Sequence, residues 1–182
     1  LGATYVFGPQ KGVTEELKPE LDQMLQKFSQ ISAAFTGNDY SKTAGAGAAG
    51  GLGYAFLSYL NTDLQPGISL VLDAIKLETE LRDADIVITG EGQLDRQTAM
   101  GKVPAGVAKL AKKYKLPVIA FAGSLSKEAY LCNEAGIDAF FSILPRIQTL
   151  DEAMDKENAR NNMKETAEQV FRLLSTVGYN RL

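Results

Sequence analysis

Residues 83–102, "DADIVITGEGQLDRQTAMGK", gather the chain's densest set of groups able to do chemistry. An apolar tetrapeptide runs into a segment carrying Glu91, Asp95, Gln97 and Thr98. Lys102 follows, two residues before Pro104. Glu91 and Asp95 are separated by three residues, so a compact turn aims both carboxylates into one crevice. Two such carboxylates can share a Mg²⁺, or one can act as base while the other holds the metal. Lys102 precedes the proline that looks like the N1 residue of a helix. A cation there opposes the helix dipole by about 0.3–1 kcal/mol, a cost that makes sense if an anion such as phosphate sits between them. The alternative is a solvated lysine beside exposed turn carboxylates. The spacing leaves both open, and the sharper expectation is that Glu91, Asp95 and Lys102 converge on one pocket for a polyanion.

What the chain lacks narrows the chemistry further. It has 182 residues with no histidine and one cysteine, which excludes Ser-His-Asp and Cys-His catalysis, imidazole-based zinc sites and internal disulfides. Cys132, in "KEAYLCNEAG", reads as a helix packing position. The net charge of −3 gives no electrostatic footprint for a nucleic-acid backbone. No apolar run approaches the roughly 18 residues of a membrane span, and no signal peptide opens the chain, so cytoplasmic residence is the default expectation. Chemistry must come from carboxylates, lysines, hydroxyls, amides and backbone N–H groups.

The elements that position these groups follow from periodicity. "DIVITG" reads as a strand ending at Thr89, with Gly90-Glu91-Gly92 as a tight turn on its carboxyl rim. "VPAGVAKLAKKYK" reads as a helix, "LPVIAFAG" as a strand and "SKEAYLCNEAG" as a helix stopped by Gly136. "IDAFFSIL" is a strand, and 149–178 one long helix with a Thr149/Glu152 capping box and Gly178 as its stop. Three successive β–α units predict a parallel sheet flanked by helices, an α/β fold. Ligands bind such sheets at the carboxyl ends of the strands.

The earlier half reads differently. Thr4–Phe7 looks like a short strand closing in a Gly-Pro turn. Leu21, Met24, Leu25, Phe28, Ile31 and Phe35 fall at helical spacing; Thr14 with Glu15 and Glu16 looks like the N-terminus of that helix, with Pro19 as the alternative first turn. Five of the nine residues 45–53 are glycine, and the pattern turns helical from about Ala48. "GAGAAG" (Gly45, Gly47, Gly50) matches the dinucleotide fingerprint, but the polar "NDYSKTA" before it is no buried strand, and no Walker A pattern occurs. What remains is a glycine-rich loop entering a helix, either a generic anion cradle or a device for close helix packing. Lys11, after the Gly-Pro turn, is a second candidate anion ligand. The composition shift near residue 80 predicts a glycine-rich, mostly helical segment over 1–80 and a β–α segment over 81–182.

Taken together, "GATYVFGPQKG", "AGAGAAGGLGYAF", "LQPGISLVLDA", "DIVITGEGQLD-QT--GK-P-GVA" and "VIAFAGS" resemble the bacterial type 1 glycerate kinases over essentially the whole chain. The resemblance implies a two-lobed α/β fold with a cleft, and transfer of the ATP γ-phosphoryl to D-glycerate, most often at the 2-hydroxyl, with Mg²⁺. It implies Asp95 as the group that accepts or orients the hydroxyl proton. Glu91, with Asp95, would hold Mg²⁺ or its water, and Lys102 and Lys11 would neutralise phosphate or the glycerate carboxylate. Gln97 and Thr98 would bond the ligands, Gly45, Gly47, Gly50 and Gly51 would form a phosphate-facing loop, and Gly90 and Gly92 would keep bulk away from it. It further implies that the family's N-terminal half is absent here, leaving a weakly active or inactive fragment. Rival readings are a non-catalytic phosphate-ligand-binding fragment, a kinase for another small hydroxy acid, and an oligomerisation module; homo-oligomerisation stays open.

Overall fold

The computed structural model describes residues 2–178, the side chain of Gln10 excepted. The chain packs as two compact units that divide after Pro66. The composition shift near residue 80 is therefore not where packing changes: the helices α4 (Gly67–Ala74) and α5 (Leu77–Glu80) pack with the later segment. The division falls between Pro66 and Gly67.

The first unit is helical. Helix α1 (Ala3–Phe7) is followed by a 3₁₀ turn (Pro9–Lys11), α2 (Lys18–Thr36) and α3 (Ala48–Tyr59). The strand expected at Thr4–Phe7 is thus a helix. All three strands among the described residues lie in the second unit, so an extended 4–7 would leave its backbone unpaired. Helical winding pairs it locally instead, with Val6 N–H donating to Gly2 O at 3.2 Å and Gly8 N–H to Thr4 O at 2.9 Å. Helix α2 begins not at Thr14 but at Lys18, with Pro19 in its first turn, the alternative that the proline rule offered, and ends at Gly37 in the left-handed conformation. It is tied to α3 by Tyr54, whose hydroxyl donates to Ser29 O at 2.9 Å, and by Tyr59, whose hydroxyl donates to the fully buried Ser32 at 2.8 Å.

The second unit holds a three-stranded parallel sheet in the order β1 (Val87–Leu94), β2 (Val118–Leu125), β3 (Ala139–Ser142). This is the flanked parallel sheet of an α/β fold. Between the strands run α6 (Arg96–Ala99), α7 (Val103–Lys113) and α8 (Leu131–Glu134). Strand β2 is buried on both faces, which is why its sequence is continuously apolar. Val118, Ala120 and Ala122 face one core with Val107, Ala108 and Ala111 of α7, and with Cys132 and Ile137. Ile119 and Phe121 face the opposite side, where Val170 packs against them. Each such Val or Ile contributes about 1.5–3 kcal/mol on full burial.

Three expectations are corrected here. Strand β1 does not stop at Thr89 but continues to Leu94, so Gly90, Glu91 and Gly92 are strand residues and not a tight turn. The C-terminal helix is two, α9 (Leu150–Met154) and α10 (Lys156–Thr176). Asp155 between them is extended (φ −62°, ψ 131°) and its carboxylate caps α10 by accepting from Glu157 N–H and Asn158 N–H. The helix expected over 126–136 condenses to the single turn of α8, with Gly136 beyond it at φ 105°. The Thr149/Glu152 capping box forms as read.

Candidate active site

The register of β1 on β2 explains the first glycine of "TGEGQ". A Cβ on Gly90 would lie 2.4 Å from Phe121 O, and one on Gly123 would lie 2.7 Å from Gly92 O. Glycine at 90 and 123 therefore permits close approach of two strands, with no positive φ at Gly90 or Gly92. This close pairing holds Glu91, opposite Ala122 in the ladder, in a fixed place on the strand.

Asp95 is the first residue beyond β1, on the carboxyl rim of the sheet. It caps α6 in a reciprocal box with Thr98. Asp95 Oδ1 accepts the Thr98 backbone N–H at 2.9 Å, and Asp95 N–H donates to Thr98 Oγ1 at 3.2 Å. The Thr98 hydroxyl also donates to Glu91 Oε1 and lies 3.2 Å from Asp95 Oδ1. Both carboxylates thus converge on one threonine. Lys102 is the N-cap of α7, with Pro104 in the first turn, and its Nζ lies 3.9 Å from Asp95 Oδ1. The cation that opposes the α7 dipole is offset by this carboxylate. The side chains of Asp95 and Lys102 are 26% and 43% exposed, so the pair faces solvent and can meet a ligand.

Cys132 is buried beneath this cluster, its Sγ 3.8 Å from Asp95 O. Burial pushes its thiol above the ordinary range, and the charges of Glu91 and Asp95 add to that. It is the packing residue its sequence context suggests, and a poor nucleophile. Gln97 lies partly buried on α6, next to Thr98. Thr98 is fully buried.

Among the described residues no group of three or more Asp, Glu, Cys or His is placed to hold a metal ion. The donor set nonetheless suits Mg²⁺, which uses one or two carboxylates and completes its shell with phosphate and water. Glu91 Oε2 and Asp95 Oδ2 carry no hydrogen bond among the described residues and would be the protein's oxygens.

The other candidates lie in the first unit. The glycine loop enters α3 through a left-handed kink, with Ala49 (φ 51°), Gly50 (φ 71°) and Gly51 (φ 102°) in succession, and Gly45 at φ 88°. Regular helix begins only after Gly51. The close-packing reading has a physical counterpart: a Cβ on Gly53 would lie 2.6 Å from Gly45 O. Gly50 and Lys11 line a largely apolar cavity of about 540 Å³, floored by Phe7, Val13 and Leu25. Gly47 and Gly51 line a second, of about 380 Å³, with Asp22, Ser41 and Tyr54. Asp22 and Ser41 were not singled out from sequence, because each sits in an ordinary polar context, on an amphipathic helix and in a loop. The structure therefore brings Glu91, Asp95, Thr98 and Lys102 together in one unit, and Lys11 with the glycine loop in the other.

Comparison with known proteins covers the same ground independently. The sequence model of the "Glycerate kinase family" matches residues 1–175. A glycerate kinase of Bacillus subtilis (strain 168) is 48% identical over 169 residues, 93% of this chain and 44% of that protein. The glycerate 2-kinase of Escherichia coli (strain K12) is 47% identical over 152 residues, 84% of this chain and 40% of that protein. A crystal structure from Salmonella typhimurium LT2, provisionally assigned as glycerate kinase 2, superposes with a TM-score of 0.63 at 43% identity. It covers 99% of this chain and 45% of its own. The chain thus spans less than half the length of these relatives. No helix among the described residues is long and apolar enough to cross a membrane. With the matched pattern running through both units, the chain belongs to the glycerate kinase family.

Proposed function

We propose that this chain is the C-terminal part of an ATP-dependent kinase that phosphorylates D-glycerate at its 2-hydroxyl, giving 2-phosphoglycerate and ADP. The observation that carries the reading is the Glu91–Thr98–Asp95–Lys102 cluster on the sheet's carboxyl rim, in a chain of the glycerate kinase family. The name of the Escherichia coli relative, glycerate 2-kinase, supports the choice of hydroxyl.

Phosphoryl transfer asks mainly for positioning and charge neutralisation. ATP supplies the phosphoryl group, and Mg²⁺ supplies charge neutralisation at its phosphates. Asp95 accepts the proton of the attacking hydroxyl as the new O–P bond forms and the bond to the ADP oxygen breaks. Glu91 would hold the metal during transfer, because Asp95 Oδ2, the other candidate oxygen, then takes the proton. Lys102 balances negative charge on the transferred group, and Gln97 donates a hydrogen bond to a ligand oxygen. Lys11 and the loop of Gly45, Gly47, Gly50 and Gly51 receive a second anionic group, a nucleotide phosphate or the glycerate carboxylate. Residues 1–66 then contribute to one lobe of the full enzyme, the segment from Gly67 onward supplies the sheet that carries Asp95, and an N-terminal half completes the active site. The working location is the cytoplasm, where ATP and small organic acids are found.

The test is glycerate-dependent ADP release, measured on the full-length protein and on this chain alone. The full-length protein turns over, its product identified as the 2-phosphate by NMR, and the isolated chain gives little or none. Turnover with another small hydroxy acid but not with glycerate would replace the substrate. Absence of turnover with every acceptor would leave a phosphate-binding protein.

A further inference from the structure

Thr98 stands out within the cluster because it is fully buried while Asp95 and Lys102 beside it reach solvent. A side chain with no exposed surface does not meet glycerate or nucleotide directly. Its contacts point inward, to the two carboxylates assigned to chemistry.

A threonine hydroxyl has one hydrogen and two acceptor positions. In Thr98 the hydrogen goes to Glu91 Oε1, since Asp95 Oδ1 already takes the Thr98 backbone N–H, while the hydroxyl oxygen accepts Asp95 N–H at 3.2 Å. Asp95 Oδ1 is held by the Thr98 backbone N–H at 2.9 Å. One residue thereby orients Glu91 through its side chain and Asp95 through its backbone. Each carboxylate has one oxygen committed to Thr98, which leaves Oε2 of Glu91 and Oδ2 of Asp95 for ligands.

We propose that Thr98 is the positioning residue of this site: it fixes the separation of the Glu91 and Asp95 carboxylates and selects the oxygen that each presents. The proposal rests on the kinase reading of the site. It replaces the expectation that Thr98 itself bonds a ligand, because its side chain is fully buried and its one hydrogen is committed to Glu91. Glu91 and Asp95 sit on different elements, β1 and the α6 cap, so without the shared hydroxyl only backbone geometry relates them.

Thr98→Val keeps the shape and removes the hydroxyl, and Thr98→Ser keeps the hydroxyl. Crystal structures of the unmodified chain and both variants read the geometry without any turnover. In Thr98→Val the Glu91 carboxylate leaves its place while the bond from the residue-98 backbone N–H to Asp95 Oδ1 persists, and in Thr98→Ser both carboxylates stay. In the full-length protein, Thr98→Val lowers kcat about 100-fold, the usual cost of a displacement near 1 Å, with KM for glycerate within about threefold. Thr98→Ser restores kcat to within about fivefold. An unmoved Glu91 in Thr98→Val, or a kcat within about threefold of normal, overturns the proposal. If the unmodified full-length protein fails to turn over glycerate, the kinase reading falls, and the crystal structures alone decide whether Thr98 sets the two carboxylates.

Discussion

Asp95 Oδ1 lies 3.9 Å from Lys102 Nζ while the same oxygen accepts the Thr98 backbone N–H at 2.9 Å. The carboxylate therefore has two jobs, capping α6 and pairing with the residue that caps α7. The two can be separated by substitution. Asparagine caps a helix about as well as aspartate but has no basic oxygen and no charge. Asp95→Asn in the full-length enzyme is expected to lower kcat by about 10²–10⁴-fold, with its melting temperature nearly unchanged. A variant that melts normally and turns over within a few-fold of the parent takes Asp95 out of the proton-transfer role.

Lys102 is expected to act through charge on the ligand, not through the fold. It is half-exposed, and its pairing with Asp95 at 3.9 Å is worth little to stability, within about 1 kcal/mol. Lys102→Met keeps the stem and removes the cation. Turnover should fall by about 10²-fold or more while denaturant midpoints hardly move. Added salt should weaken the parent's affinity for nucleotide more than the variant's. Equal salt dependence in the two would mean that Lys102 does not face the polyanion.

The glycines of β1 offer a test within one strand. Gly90→Ala drives a Cβ to 2.4 Å from Phe121 O, so the β1–β2 ladder must shift; Gly92→Ala meets nothing within 4 Å. The first is expected to cost about 1–3 kcal/mol in chemical denaturation, the second less than about 1. Because Glu91 lies between them, Gly90→Ala should also depress activity. Equal stability of the two variants would mean that the close strand pairing is not what requires glycine at 90.

These same glycines show why part of the site escaped the sequence. Glycine is depleted in strands, so Gly90 and Gly92 signal a turn when only the chain is read. What demands glycine at 90 is Phe121, thirty-one positions later, a contact no local pattern contains. The C-terminal helix pair hid in a similar way: the helical period runs through Asp155, and only its cap geometry shows that the chain restarts there. Thr4–Phe7 has strand composition, but a strand needs a neighbour, and the first unit has none among the described residues. The β–α alternation, the first-turn prolines at 19 and 104 and the Thr149/Glu152 box were legible because each is decided by residues within a turn or two. Glu91, Asp95 and Lys102 were legible as a group because they are close in sequence. That Thr98 joins the two carboxylates was not, since a threonine between polar residues has no pattern of its own.

Asp138 gives a prediction away from the active site, with its pH dependence fixed in sign. It sits just before β3 and accepts Val118 N–H at 2.6 Å and the Lys112 ammonium, joining the start of β2 to α7. Burial opposes its charge, but the hydrogen bonds from Lys112 and Val118 and the Lys112 charge outweigh that and hold its carboxyl below the ordinary value of 3.8. A carboxyl lowered on folding adds stability that is fully present above the unfolded value and is lost as pH falls through the folded one. Its side chain is half-exposed, so solvent screening limits the size to the order of 1 kcal/mol. Asp138→Asn should therefore destabilise by about that amount at neutral pH, and the deficit should shrink towards zero as the pH falls below 3.8 and through the lowered folded value. Urea denaturation of both proteins from pH 7 down to the acid limit reads this directly. A deficit that stays constant with pH would show that the amide costs packing or geometry, and that the Asp138 charge contributes nothing to the tie between β2 and α7.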